Sequence, residues 1–153
     1  MEKRRRIYLD TSVFGGYYDD EFSVLTRRLF EEIRAGRFTV VVSTATIEEL
    51  SLAPAAVQDL LATLPDEAVE TVEPSDEITE LRNAYMKAGV VTRKWLTDAE
   101  HIATASVARV EIIVSWNFRH IVHYDKIRGY HAVNLLAGYP MVPIHSPREV
   151  VRP

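Results

Sequence analysis

Four polar residues stand where chemistry is to be sought: Asp10 in IYLDTSVF, Glu49 in SxxxxxEL (Ser43 to Leu50), Asp98 in DAEHIATA, and Asn117 in SWNF. Asp10 ends an apolar run, Ile7 to Leu9, where a carboxylate is expensive to desolvate unless it is paired or binds a cation. Three carboxylates and an amide, in a chain without cysteine, make an all-oxygen donor set. Such a set suits Mg²⁺ or Mn²⁺, hard cations that keep several waters and share a few carboxylates with substrate phosphate. The chemistry implied is phosphoryl transfer, with the cation polarising a phosphate oxygen and lowering the pKa of a water. Singly, each residue has a plainer explanation. Asp98 fits a helix N-terminus, Asn117 a turn cap, and Glu48 with Glu49 a solvated helix face.

For these residues to meet, the elements carrying them must share one edge. Residues 7–11 read as a buried strand, 38–43 (FTVVVS) as a β-branched second strand, 68–73 as a weaker one, 111–115 (EIIVS) as a fourth and 141–146 as a short last one. Between them the spacing predicts a helix over 21–36, capped by Asp20 and stopped by Gly36. Across 44–64 it predicts two helices, broken near Pro54, with that proline in the first turn of the second. A helix over 76–88 is capped by Ser75; another over 98–110 is opened by a Thr97–Glu100 capping box, which gives Glu100 a structural task; and YDKIRGYHAVNLLAG carries the last. Alternating strands and helices imply crossovers, a mostly parallel sheet and a three-layer α/β domain, expected to span 1–153. In such sheets ligands bind beyond the carboxyl ends of the strands, where strand order reverses.

The chain's 153 residues can bury one core without staples, and its 47% hydrophobic and 26% charged residues are ordinary for a globular protein. Without cysteine there are no disulfides, thiolate nucleophiles or cysteine-ligated clusters. No apolar stretch has the length of a membrane span or signal-peptide core, so a cytoplasmic protein without membrane contact is expected. A net charge of −4 argues against one broad basic field for nucleic acid, although a bound cation would leave room for locally basic surface beside the acids.

The series IYLDTSVF, SxxxxxEL, DAEHIATA and SWNFRHI resembles, in order and spacing over nearly the whole chain, a PIN domain of the kind found in VapC toxins of toxin–antitoxin systems. The resemblance implies a Mg²⁺- or Mn²⁺-dependent endoribonuclease with Asp10, Glu49 and Asp98 as metal-binding acids. It also implies RNA as substrate, a small antitoxin partner whose tail covers the cleft, and a homodimer. The family's fourth acid stands two residues beyond the Ser or Thr that ends strand four. Here that position is Asn117, whose amide can orient water or substrate but brings no charge. The departure motivates a second reading, a catalytically inactive PIN module that binds RNA or protein. A third, an aspartyl-phosphate phosphatase, needs an acid where Ser12 stands.

Around these four, Thr11, Ser12 and Ser115 are candidate hydroxyl partners, and Arg93, Lys94 and Arg119 are candidate phosphate contacts. Lys3 to Arg6 reads first as a solvated basic segment, with RNA backbone as its alternative. His101 reads as core-facing, and His120 with His123 offers no zinc pattern. Tyr17, Tyr18, Phe22 and Trp95 suit packing before base stacking.

Overall fold

Side-chain alternation along the strands divides the molecule into layers. Ile7 and Leu9, Val40 and Val42, and Val114 point into one core; Tyr8, Val41 and Ile113 point into the other. The computed structural model describes residues 3–153. Its five strands, β1 (Arg5–Leu9), β2 (Phe38–Ser43), β3 (Val69–Val72), β4 (Ile112–Val114) and β5 (Ile144–His145), form one all-parallel sheet in the order β3-β2-β1-β4-β5. A strand buried on both faces reads as a continuous apolar run, which is why IYL and FTVVV lack polar alternation.

Helices cover both faces. Under the first core lie α1 (Thr11–Gly16), α2 (Ser23–Arg34), α3 (Thr44–Leu50), α4 (Ala55–Asp59) and α8 (Pro147–Val150), contributing Phe14, Phe30, Leu50, Val57 and Val150. Over the second lie α5 (Asp76–Lys87), α6 (Leu96–Val107) and α7 (Tyr124–Ala137), contributing Leu81, Tyr85, Ile102 and Tyr130. The expected three-layer α/β arrangement is therefore what the chain forms. From β1 the chain builds outward to β2 and β3, then returns through α5 and α6 to place β4 on the other side of β1. The strand order reverses between β1 and β4, and the crevice beyond their carboxyl ends is the ligand position of such a sheet. Among the described residues, no helix is long and apolar enough to cross a membrane.

Several boundaries differ from the sequence reading. β1 stops at Leu9 because Thr11 already opens α1, a short helix not anticipated, so Asp10 is the hinge between strand and helix. The residue that caps the chain before α2 is Asp19, not Asp20: its Oδ1 accepts from the Glu21 and Phe22 N–H groups at 2.8 and 3.3 Å. The Thr97–Glu100 box does not form. α6 starts at Leu96, so both residues lie inside it, and Glu100 instead accepts from Arg82 at 3.1 Å. Pro54 precedes α4 at its N-cap position, one residue before the first turn. Ser75 caps α5 as expected, accepting from the Ile78 N–H at 3.3 Å. Gly36 follows α2 with φ +91°, a left-handed conformation that accounts for glycine there.

Candidate active site

Asp10 and Ser115 directly follow the two strands that flank the reversal, and they touch. Ser115 Oγ donates to Asp10 Oδ2 at 2.8 Å, and Ser12 Oγ, from the first turn of α1, donates to Oδ1 at 2.6 Å. Those hydroxyls are oriented in turn by backbone: the Trp116 N–H donates to Ser12 Oγ and the Asn117 N–H to Ser115 Oγ, both at 2.9 Å. Asp10 is only 4% exposed. Burial raises its pKa; the charge of His101 and the two serine hydroxyls pull it back without cancelling the desolvation, and Asp98 adds to the rise. It is a buried carboxylate short of positive charge.

Trp116 anchors this corner. Its indole Nε1–H donates to Thr26 Oγ1 at 2.9 Å and its ring stacks on Phe22 with centroids 4.2 Å apart. The second glycine of IYLDTSVFGG is what admits it: a Cβ on Gly16 would lie 2.8 Å from the indole and 2.9 Å from Thr26 Oγ1.

Asp98 stands in the first turn of α6, where a carboxylate suits the helix dipole. Its oxygen contact is with a side chain: Asn117 Nδ2 donates to Asp98 Oδ1 at 3.2 Å. The other end of the Asn117 amide accepts the Arg119 and His120 N–H groups at 3.1 and 3.0 Å. Asn117 thus caps the turn and braces Asp98 at once, using both ends of an amide. Burial raises the Asp98 pKa, moderated by His101 and Asn117 and reinforced by Glu49.

Glu49 comes from α3, half-exposed, and its Oε1 accepts from both Thr11 Oγ1 and His101 Nε2 at 2.9 Å. Burial alone would raise its pKa, but the hydrogen bond and charge of His101, with Thr11, outweigh it and hold the carboxyl low. His101, read from sequence as a core residue, is buried and bonded to Glu49, with its other nitrogen, Nδ1, 2.6 Å from Tyr8 Oη. Burial would lower the imidazole pKa; Tyr8, Glu49 and Asp10 together push it up to about 10. Its spacing of three from Asp98 was the available signal, since residues i and i+3 share a helix face.

The other singled-out residues sort by position. Arg6, at the amino end of β1, forms a two-point ion pair with Glu70 and donates to the Ala108 carbonyl, so it is a structural anchor on the opposite edge from Asp10. Tyr17 packs on Phe30, Phe22 on Trp116, and Trp95 on His120 with centroids 3.9 Å apart, while Tyr18 is exposed. Arg93 and Lys94 precede Asp98 and Arg119 follows Asn117; all three are exposed. With Lys126 they form no ion pair among the described residues. Burial, then Lys126, Arg119, His123 and Lys94, lower the pKa of His120, so a cationic flank lies beside the acids.

The donor set can be tested against a divalent ion. Among the described residues no group of three or more His, Asp or Glu is close enough to hold one ion directly. What fits is a hydrated ion held by one or two carboxylates and by the others through water, the habit of Mg²⁺. Asp98 Oδ2 and Glu49 Oε2 accept no bond from the protein among the described residues, and Asp10 lacks a compensating charge of its own. Neither a scan against protein-family models nor a search of curated proteins gives a match.

Proposed function

We propose that the protein is a Mg²⁺- or Mn²⁺-dependent endoribonuclease of the PIN-like, VapC-like kind, hydrolysing phosphodiester bonds in RNA as a toxin. The observation that carries this is Asp10: a buried carboxylate at the strand-order reversal, held by the hydroxyls of Ser12 and Ser115, with Asp98 within electrostatic reach of it and Glu49 within electrostatic reach of Asp98. Asp10 and Asp98 would hold the ion and Glu49 would hold it or its water. When bound, the ion supplies polarisation of a phosphate oxygen and acidification of a water.

The chain's own residues do the rest. Ser12 and Ser115 fix the plane of the Asp10 carboxylate, Asn117 fixes Asp98, and Thr11 with His101 fixes Glu49. Lys94 and Arg119 would hold the phosphates flanking the scissile one, keeping the backbone in line for attack and release of a 5′-phosphate and a 3′-hydroxyl. An antitoxin tail that inserts an arginine would meet the same carboxylates with a fork of donors, and a homodimer completes the proposed assembly.

One observation favours a non-catalytic RNA-binding module instead: the amide of Asn117 is spent at both ends, so the fourth acid's charge is absent. Inducible expression separates the readings. Induction of the wild type should slow growth and Asp10→Asn should not; equal growth of the two contradicts the toxin reading.

A further inference from the structure

His101 is a buried side chain that reaches two of the acid-bearing segments from a third. It rides on α6 with Asp98, touches Glu49 of α3 through Nε2, and touches Tyr8 of β1, two residues before Asp10, through Nδ1. Tyr8 Oη in turn donates to Ser43 Oγ at 2.9 Å, and Ser43 Oγ accepts the Thr46 N–H at 3.1 Å as the N-cap of the helix that carries Glu49. A closed circuit results: Glu49, His101, Tyr8, Ser43 and back through α3 to Glu49. All of its side chains other than Glu49 are under 5% exposed, so none can relax its geometry by turning to water.

The circuit also selects an oxygen. A carboxylate accepts only, so the His101 Nε2–H must donate to Glu49, and it does so on Oε1, which also takes the Thr11 hydroxyl. Oε2 is left without a protein donor among the described residues, and it is the oxygen available to a cation or its water.

We infer that His101 is a positioning residue, buttressed by Tyr8, that pins Oε1 of Glu49 and so presents Oε2 to the divalent ion, an inference that rests on the metal-site reading above. Partners of this sort, one bond removed from the ion, typically change metal affinity about 10- to 100-fold when removed.

The test is Mn²⁺ binding, measured by calorimetry on the full chain without RNA. An Asn side chain places its amide near the position of Nδ1, and a Gln side chain near that of Nε2. His101→Gln therefore keeps a donor toward Glu49, whereas His101→Asn keeps only the contact toward Tyr8. The expected result is that His101→Asn weakens Mn²⁺ binding about tenfold or more, while His101→Gln restores most of it at a similar melting temperature. Tyr8→Phe, which keeps the buried ring and removes only the hydroxyl, is expected to weaken binding in the same direction by a smaller factor. Equal Mn²⁺ affinity in wild type, His101→Asn and Tyr8→Phe overturns the inference and leaves the metal site standing. A His101→Gln variant as weak as His101→Asn overturns it too, because the directed donor would then be irrelevant. No Mn²⁺ binding by the wild type overturns the site and the inference together.

Discussion

Replacing Asn117 by Asp would supply the fourth acid that the resemblance expects, and the geometry makes the consequence calculable. The amide nitrogen that now donates to Asp98 Oδ1 at 3.2 Å would become a second carboxylate oxygen facing the first. Two unit charges about 4 Å apart repel by roughly 1 kcal/mol in water and roughly 4 kcal/mol at the effective dielectric of a protein surface. Both side chains are half-buried, which places the pair near about 2 kcal/mol, and the lost hydrogen bond adds about 1 kcal/mol. Against this, the Arg119 and His120 N–H groups would bind a charged oxygen more strongly, recovering up to about 1 kcal/mol. The expected net destabilisation of metal-free Asn117→Asp is about 2–3 kcal/mol, a fall in melting temperature of about 4–12 °C for a chain of this size. Mn²⁺ should reverse it, since the added carboxylate then faces a cation, and the Mn²⁺-induced rise in melting temperature should exceed that of the wild type. Thermal unfolding in EDTA and across a Mn²⁺ series reads both. An Asn117→Asp variant as stable as wild type in EDTA, or no more responsive to Mn²⁺, would refute the role given to the amide.

Three further outcomes follow from the same contacts. Gly16→Ala should destabilise the fold by about 1–3 kcal/mol in chemical denaturation, because the new methyl lands on the Trp116 indole and Thr26; an unchanged midpoint contradicts it. His120 has a depressed pKa in the folded state, so between that value and its unfolded value near 6.5 the unfolded chain binds more protons. Its contribution is therefore present above about pH 6.5 and lost as pH falls through the folded pKa. His120→Gln should flatten that part of a stability-against-pH curve. Lys94→Ala with Arg119→Ala should weaken RNA binding by the Asp10→Asn protein and make the slope of log affinity against log salt shallower by roughly 1.4–1.8; an unchanged slope removes them from the phosphate path.

What was legible in the sequence follows from which energies are local. Runs such as IYL and FTVVV declare buried strands because a two-faced strand has no polar alternation, and the helices between them enforce a parallel sheet. Asp10 declared itself because a charge at the end of such a run needs a reason. Helix starts were less legible: Thr97 and Glu100 match a capping box, yet Trp95 stacks on His120 and the helix begins before them. A tertiary contact outweighed a local cap. His101 was hidden for a related reason, since a histidine among Ala and Ile on a helix looks like core until Tyr8 and Glu49 arrive from strands and helices distant in sequence. Asn117 was seen as a cap or as a site residue; the fold makes it a cap whose amide also donates to Asp98. Arg6 was read as solvated because its partner, Glu70, lies on a strand two places away in the sheet.

The claim that three carboxylates at the strand-order reversal hold a cation and cut RNA meets its most direct test in purified protein with total RNA, with Mn²⁺ or with EDTA, beside Asp10→Asn. Sequencing of 5′-phosphate ends should show new, recurrent cleavage positions for the wild type in Mn²⁺, absent in EDTA and absent for Asp10→Asn. The same ends from wild type and Asp10→Asn, or no metal-dependent ends from the wild type, would contradict the account.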